Sequence, residues 1–185
     1  LHHDGERVVI DPGRGTYTQH EDDAYVSAKR HNGITVDGRD PYPPNRPYYS
    51  RSFRERVGGP PPSLERLNNG VMLSFDGYER MSNLGRIKRI WSFAPGRMVV
   101  KDHVEGRGSH RVWRRINTFY AVRSVEHGVV IETSRHAYHL HGDGEFQLIP
   151  TTAWSAYGEG RLATTIEIFL TANLPINTRL TLEVI

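Results

Sequence analysis

From Val71 to Val184 the chain is a succession of short runs rich in Val, Ile, Phe, Thr and Trp, separated by glycine-bearing turns. No long stretch repeats at helical spacing. The runs are Arg7 to Ile10, Ile34 to Val36, Val71 to Phe75, Arg86 to Phe93, Arg97 to Val104, His110 to Val122, Gly128 to Thr133, His136 to His141, Glu145 to Ile149, Thr164 to Thr171 and Thr178 to Val184. Pro95-Gly96, Gly106-Arg107-Gly108, His127-Gly128 and Gly142-Asp143-Gly144 punctuate them. Strands at this spacing predict an all-β chain, an antiparallel two-sheet β-sandwich, with 185 residues forming a single domain over 1–185.

Between Gly38 and Leu67 the pattern gives way to Pro, Gly, Arg and Tyr, as in Pro41-Tyr42-Pro43-Pro44-Asn45-Arg46-Pro47-Tyr48-Tyr49. The expectation is a long Pro/Tyr/Arg-rich loop or insertion over 38–67, with a helical turn or two near Ser63 to Asn68. Loops of this length tend to be functional, and Arg46, Tyr48 and Tyr49 could hydrogen-bond and stack on a sugar. A loop that merely covers a sheet edge is the alternative.

Within Arg86 to Phe93 the alternation turns Ile87, Arg89, Trp91 and Phe93 to one side, so Arg89 faces inward or into a cleft. Arg111, Arg114 and Arg115 read as a solvated sheet face, and Trp91, Trp113 and Trp154 as core. His139 and His141 share one face of their strand, with His136 opposite. Twenty-four basic against 21 acidic residues give a net charge of +3, carried almost wholly by arginine, which suits an acidic partner but not nucleic acid in particular. The absence of cysteine removes disulfides and thiolate metal sites. No run is long and apolar enough for a membrane helix. The abrupt opening at Leu1-His2-His3 reads as a cut from a longer polypeptide.

An ordered series of short motifs carries a resemblance. Asp11-Pro12-Gly13 and Gly15-Thr16-Tyr17 lead to His31-Asn32-Gly33-Ile34-Thr35-Val36-Asp37-Gly38. Then come Phe75-Asp76-Gly77-Tyr78, the strand arginine Arg89, Met98 to Asp102, Gly106 to His110 and Trp154 to Gly158. In this order they resemble the C-terminal β domain of heparinase II/III-like polysaccharide lyases. Two positions depart: Gly33 stands at a family threonine, and Thr118 where a histidine is expected.

The resemblance implies a domain that works against an N-terminal helical (α/α) toroid, upstream or in a separate chain, to cleave acidic, uronate-containing polysaccharide by β-elimination. It implies catalytic roles for His31, Tyr78 and Arg89, substrate contacts by Asn32 with Arg46, Tyr48 and Tyr49, and a zinc site formed by His31, Asp76 and His110. It implies a periplasmic or secreted location, and an isolated chain without activity. The alternative is a stand-alone carbohydrate-binding or self-assembling β module, which a homo-oligomer would suit.

Overall fold

The protein is described by a computed structural model covering residues 1–13, 27–42, 50–156 and 158–185. A two-stranded hairpin comes first, β1 (His2–His3) and β2 (Glu6–Arg7). There follow β3 (Ile34–Val36), helix α1 (Arg51–Gly58), β4 (Ser63–Leu67), β5 (Gly70–Phe75), β6 (Leu84–Ala94), β7 (Arg97–Thr118) and β8 (Ala121–Val125). The chain ends with β9 (Gly128–Glu132), β10 (Ala137–Gly142), β11 (Glu145–Ala156) and β12 (Glu159–Val184). Among the described residues the pairings are antiparallel, in the order β4-β5-β6-β7-β12-β10-β9-β8, with β11 added to β12 and β3 to β7.

Two long strands make the sandwich. The first half of β7 pairs with β6 and with the end of β12, whereas its second half pairs with β3 and with the start of β12, which also carries β11. The register skips from Leu174↔Gly108 to Ile176↔Val104. Pro175 sits at the skip and has no N–H to offer the ladder. Opposite it, Gly106 has φ +155, and a Cβ there would lie 2.4 Å from Asn83 O, so only glycine fits. Such irregularities bend a strand pair and raise its twist.

One hydrogen-bonded sheet therefore folds over on itself, and its halves share a core. Met98, Val100, Leu180 and Leu182 from one half pack in the same cluster as Ile116, Ile166 and Ile168 from the other. A second cluster joins Ile34, Val36 and Val112 to Phe75, Ile87 and Val104. The fold is thus the expected all-β sandwich, although the runs read as separate strands at Arg97 to Val104 and His110 to Val122 form one element up to Thr118. The same holds for Thr164 to Thr171 and Thr178 to Val184. The Gly106-Arg107-Gly108 turn of the sequence lies within continuous strand β7, whereas Pro95-Gly96 remains a turn.

The 38–67 segment differs from expectation. Its helix lies at α1, where Ser50 Oγ accepts from Phe53 N at 3.1 Å as the N-cap, Arg51 pairs with Glu55 at 2.7 Å, and Gly59 at φ +68 ends it. Ser63 to Leu67 is not a helical turn but strand β4, paired Ser63↔Ser74 through Leu67↔Gly70. Gly70 lets the next strand run close under Trp91 O, 1.9 Å from where a Cβ would sit. The hairpin wins because β5 offers a free edge to pair with, a term that local propensity omits.

Candidate functional site

The Asp11-Pro12-Gly13 turn and the His31-Asn32-Gly33 loop meet beside the end of β7. Ile10 N donates to Asn117 O at 2.9 Å, and Trp154 N donates to Pro12 O at 2.8 Å. Asn117, fully buried, organises the junction. Its main-chain and side-chain N–H groups donate to Asn32 Oδ1 at 2.8 and 3.0 Å, its carboxamide also reaches Arg30 O, and Thr165 Oγ1 donates to its own oxygen at 2.7 Å. Asn32 Nδ2 in turn donates to Ile10 O at 2.6 Å. The loop is therefore fixed on both sides of His31.

His31 Nδ1 lies 2.7 Å from Asp11 Oδ1, with the two side chains 35% and 59% exposed. Asp11 Oδ2 also accepts from Gly13 N at 3.1 Å, which keeps the carboxylate turned back on its own tight turn. A carboxylate on Nδ1 selects the tautomer in which Nε2 carries the lone pair. The dyad sits at the surface.

Beneath this loop is a charged layer. Arg89, 5% exposed, donates from Nε and Nη2 to the two oxygens of Asp102 at 2.6 and 3.0 Å, and from Nη1 to Asn32 O at 3.3 Å. Arg115 pairs with Glu167 at 2.6 Å and donates to Thr35 Oγ1. Arg114, 1% exposed, donates to Thr178 Oγ1 and Asp143 O, while its Nε has no hydrogen-bond partner. Burial pushes the Arg114 guanidinium down to about 10, against the favourable field of Asp102. An open cleft of about 350 Å³ runs over these groups, lined by Asn32, Arg89, Trp91, Arg114 and Arg115 among apolar residues. A smaller one of about 200 Å³ shares Asn32, Arg89 and Trp91 with it.

The sequence-derived candidates divide accordingly. His31, Asn32 and Arg89 come together, with the His31 side chain 35% exposed. Asn32 is engaged in holding the loop, and Arg89 faces inward on Asp102. Tyr78 is fully buried, accepting from Val36 N and donating to Arg39 O at 2.7 Å, and burial raises its phenol well above the ordinary range. It anchors a turn and does not line the cleft. Arg46, Tyr48 and Tyr49 lie outside the described residues. Arg114 and Arg115 are buried rather than on a solvated face, and only Arg111 is exposed. The three tryptophans are half-buried.

The expected zinc triad does not assemble. His31 is held by Asp11; Asp76 receives a two-pronged bond from Arg86 at 2.6 and 2.8 Å; His110 lies between Asp37 Oδ2 at 2.7 Å and Arg107 O at 2.9 Å. Among the described residues, the groups of three whose ligand atoms lie within 4.8 Å of one another include none of them. His31, Asp76 and His110 do not fit a common cation, because their ligand atoms do not gather within 4.8 Å of one another. The residues that organise the site instead, Asp11, Asn117 and Asp102, were visible in the sequence only as parts of motifs. Nothing local showed that Asn117, 85 residues from Asn32, would hold it.

A family model described as Heparinase II/III-like, C-terminal matches residues 1–181. No curated protein sequence matches the chain. Among solved structures, a heparan sulfate lyase, HepC, from Pedobacter heparinus superposes with a TM-score of 0.70 at 13% identity, over 97% of this chain and 29% of that one. A structure titled Heparinase III gives 0.65 at 16% identity, over 99% and 28%. A heparinase III, the BT4657 gene product, gives 0.68 at 12% identity, over 98% and 28%. The chain thus spans less than a third of the length of these neighbours, and at such identity the likeness concerns the fold.

Proposed function

This chain belongs to the heparinase II/III-like family as its C-terminal domain, and we propose that it forms one wall of a cleft in which an acidic, uronate-containing polysaccharide is cleaved by β-elimination. The observation that carries this reading is the exposed His31–Asp11 pair, at 2.7 Å, on a loop fixed by Asn32 and Asn117. β-Elimination needs a group that removes the proton from C5 of the uronate, and one that protonates the leaving oxygen as the C4–O bond breaks. An imidazole whose tautomer is set by a carboxylate serves for either transfer through Nε2. Asp11 stabilises the protonated ring, and the buried Arg89–Asp102 pair keeps the loop from shifting.

The opposite wall, with most of the contacts that bind and orient the sugar, comes from a helical toroid domain. A single wall neither excludes water nor fixes the C5–H bond against the base, and such positioning is worth several powers of ten in rate. Structural neighbours of the chain include a heparan sulfate lyase, and sulfated uronate polymers are accordingly the first substrates to test.

The isolated chain and the chain joined to a heparinase-family toroid are incubated with heparan sulfate, heparin and alginate, following the absorbance of the new conjugated double bond. The isolated chain should give none. The joined form should cleave at least one polymer, and His31→Ala should lower kcat by about 10²–10⁴. Absence of product from the joined form, or an unchanged rate in His31→Ala, refutes the reading. Product from the isolated chain refutes the requirement for a toroid.

A further inference from the structure

The histidines of the His136 to His141 segment contribute to two ligand groups outside the cleft. Among the described residues, His3, Asp4 and His136 form one set with ligand atoms within 4.8 Å of one another, and His139, His141 and Glu183 form another. The second set is the poorer cradle. Its imidazoles stack 4.6 Å apart at only 26°, so their in-plane lone pairs run nearly parallel instead of converging, and Arg97 Nε lies 3.4 Å from Glu183 Oε2. In the first set the rings of His3 and His136 are inclined at 51° with centroids 5.3 Å apart.

We propose that His3, Asp4 and His136 bind one divalent transition-metal cation of the zinc class, fastening the β1–β2 hairpin to the turn that precedes β10. Two imidazoles and a carboxylate without a thiolate suit zinc, with water in the fourth position. His136 Nε2 and Asp4 Oδ2 are already 2.9 Å apart. Metal bonds of about 2.0–2.1 Å place tetrahedral ligand atoms about 3.3 Å apart, so closing from 4.8 Å takes only small side-chain rotations.

The surroundings hold each ligand in place. His3 Nδ1 is bonded to the hydroxyl of buried Tyr138 at 2.7 Å, which leaves Nε2 as the metal-facing nitrogen, the outer-shell arrangement usual for ligating histidines. Asp4 occupies a tight turn at φ +48, ahead of Gly5 at φ +82, and its carbonyl accepts from Arg135 Nη1 at 3.0 Å. His136 N donates to Thr133 Oγ1 at 3.0 Å, and its carbonyl accepts from Thr133 N at 2.9 Å. Glu6, bonded to Thr133 and Ser134, joins the same hairpin to the same turn and adds a negative charge beside His136. The side chains of His136 and Asp4 are 27% and 56% exposed, so an ion reaches them from solvent.

Zinc chloride is titrated into chelator-stripped protein, following uptake by calorimetry and melting temperature by fluorescence. One zinc per chain is expected, with a rise of roughly 5–10 °C at a hundredfold excess over Kd. His3→Ala and His136→Ala should each abolish both, His141→Ala neither, and Tyr138→Phe should weaken uptake about tenfold. The metal-free melting temperature of each variant separates loss of a ligand from loss of the fold, with His3→Gln as the size-preserving control. No uptake up to millimolar zinc, uptake that survives both ligand variants, or uptake lost only in His141→Ala overturns the site.

Discussion

Replacing Asp102 by asparagine removes one negative charge from a place where two guanidinium groups depend on it. Asp102 is 1% exposed and takes both Arg89 bonds; Arg114, also 1% exposed, lies within its field. Breaking a buried pair from one side costs about 3–5 kcal/mol, because an uncompensated charge is left without water. Asp102→Asn leaves two such cations and should fall at the upper end of that range. Arg89→Met leaves Asp102 with the field of Arg114 and should fall at the lower end. In a chain of this size each kcal/mol moves the melting temperature by about 2–4 °C, so the two variants should lose roughly 20 and 6 °C at the extremes. Urea unfolding followed by tryptophan fluorescence reads the free energies, with the slope m showing whether the native state stays compact. The double variant Arg89→Met/Asp102→Asn, which buries no charge from this pair, should recover a large part of the loss. A cost under about 1 kcal/mol for Asp102→Asn at unchanged m, or additivity in the double variant, would refute the view that Asp102 neutralises this layer.

Asn117→Ala leaves Asn32 Oδ1 only its main-chain bond and removes the acceptor of buried Thr165 Oγ1; it should cost about 1–3 kcal/mol in the same urea assay, together with faster proteolysis at the His31 loop. Hydrogen bonds from Ser134 and Thr133 hold the Glu6 carboxyl below its ordinary value of 4.5. Its contribution to stability is therefore full above that value and lost as pH falls through the lower folded value, and Glu6→Gln should flatten this acid limb in a melting-temperature series. The bond to Asp37 raises His110 above 6.5, so its contribution is full below 6.5 and lost as pH rises through the raised value. Asp37→Asn should remove that decline, measured between pH 6 and 9; a decline that persists assigns it to another group.

The candidate residue His31 was found because its motif stands in order with others along the chain. Asp76 and His110 belonged to the same series, yet their partners turned out to be Arg86 and Asp37 rather than a shared ion. Tyr78 carried the right chemistry in the right motif, but its position under the Val36–Arg39 turn removed it from the cleft. Arg89 shows the opposite outcome, since alternation alone turned it inward, although only the adjacent β7 supplied Asp102. His136 was placed opposite His139 and His141 by strand period, but its neighbours His3 and Asp4 lie 133 and 132 residues away in the chain.

The sequence by itself determined the strand composition, the punctuation by glycine and the family to which the chain belongs, because these depend on residues within a few positions of one another. The tertiary structure decided that β7 and β12 run unbroken through their glycines and proline, that the sheet closes over its own core, and which side chain meets which. Those outcomes depend on pairing energies between segments up to 135 residues apart, which local periodicity does not encode.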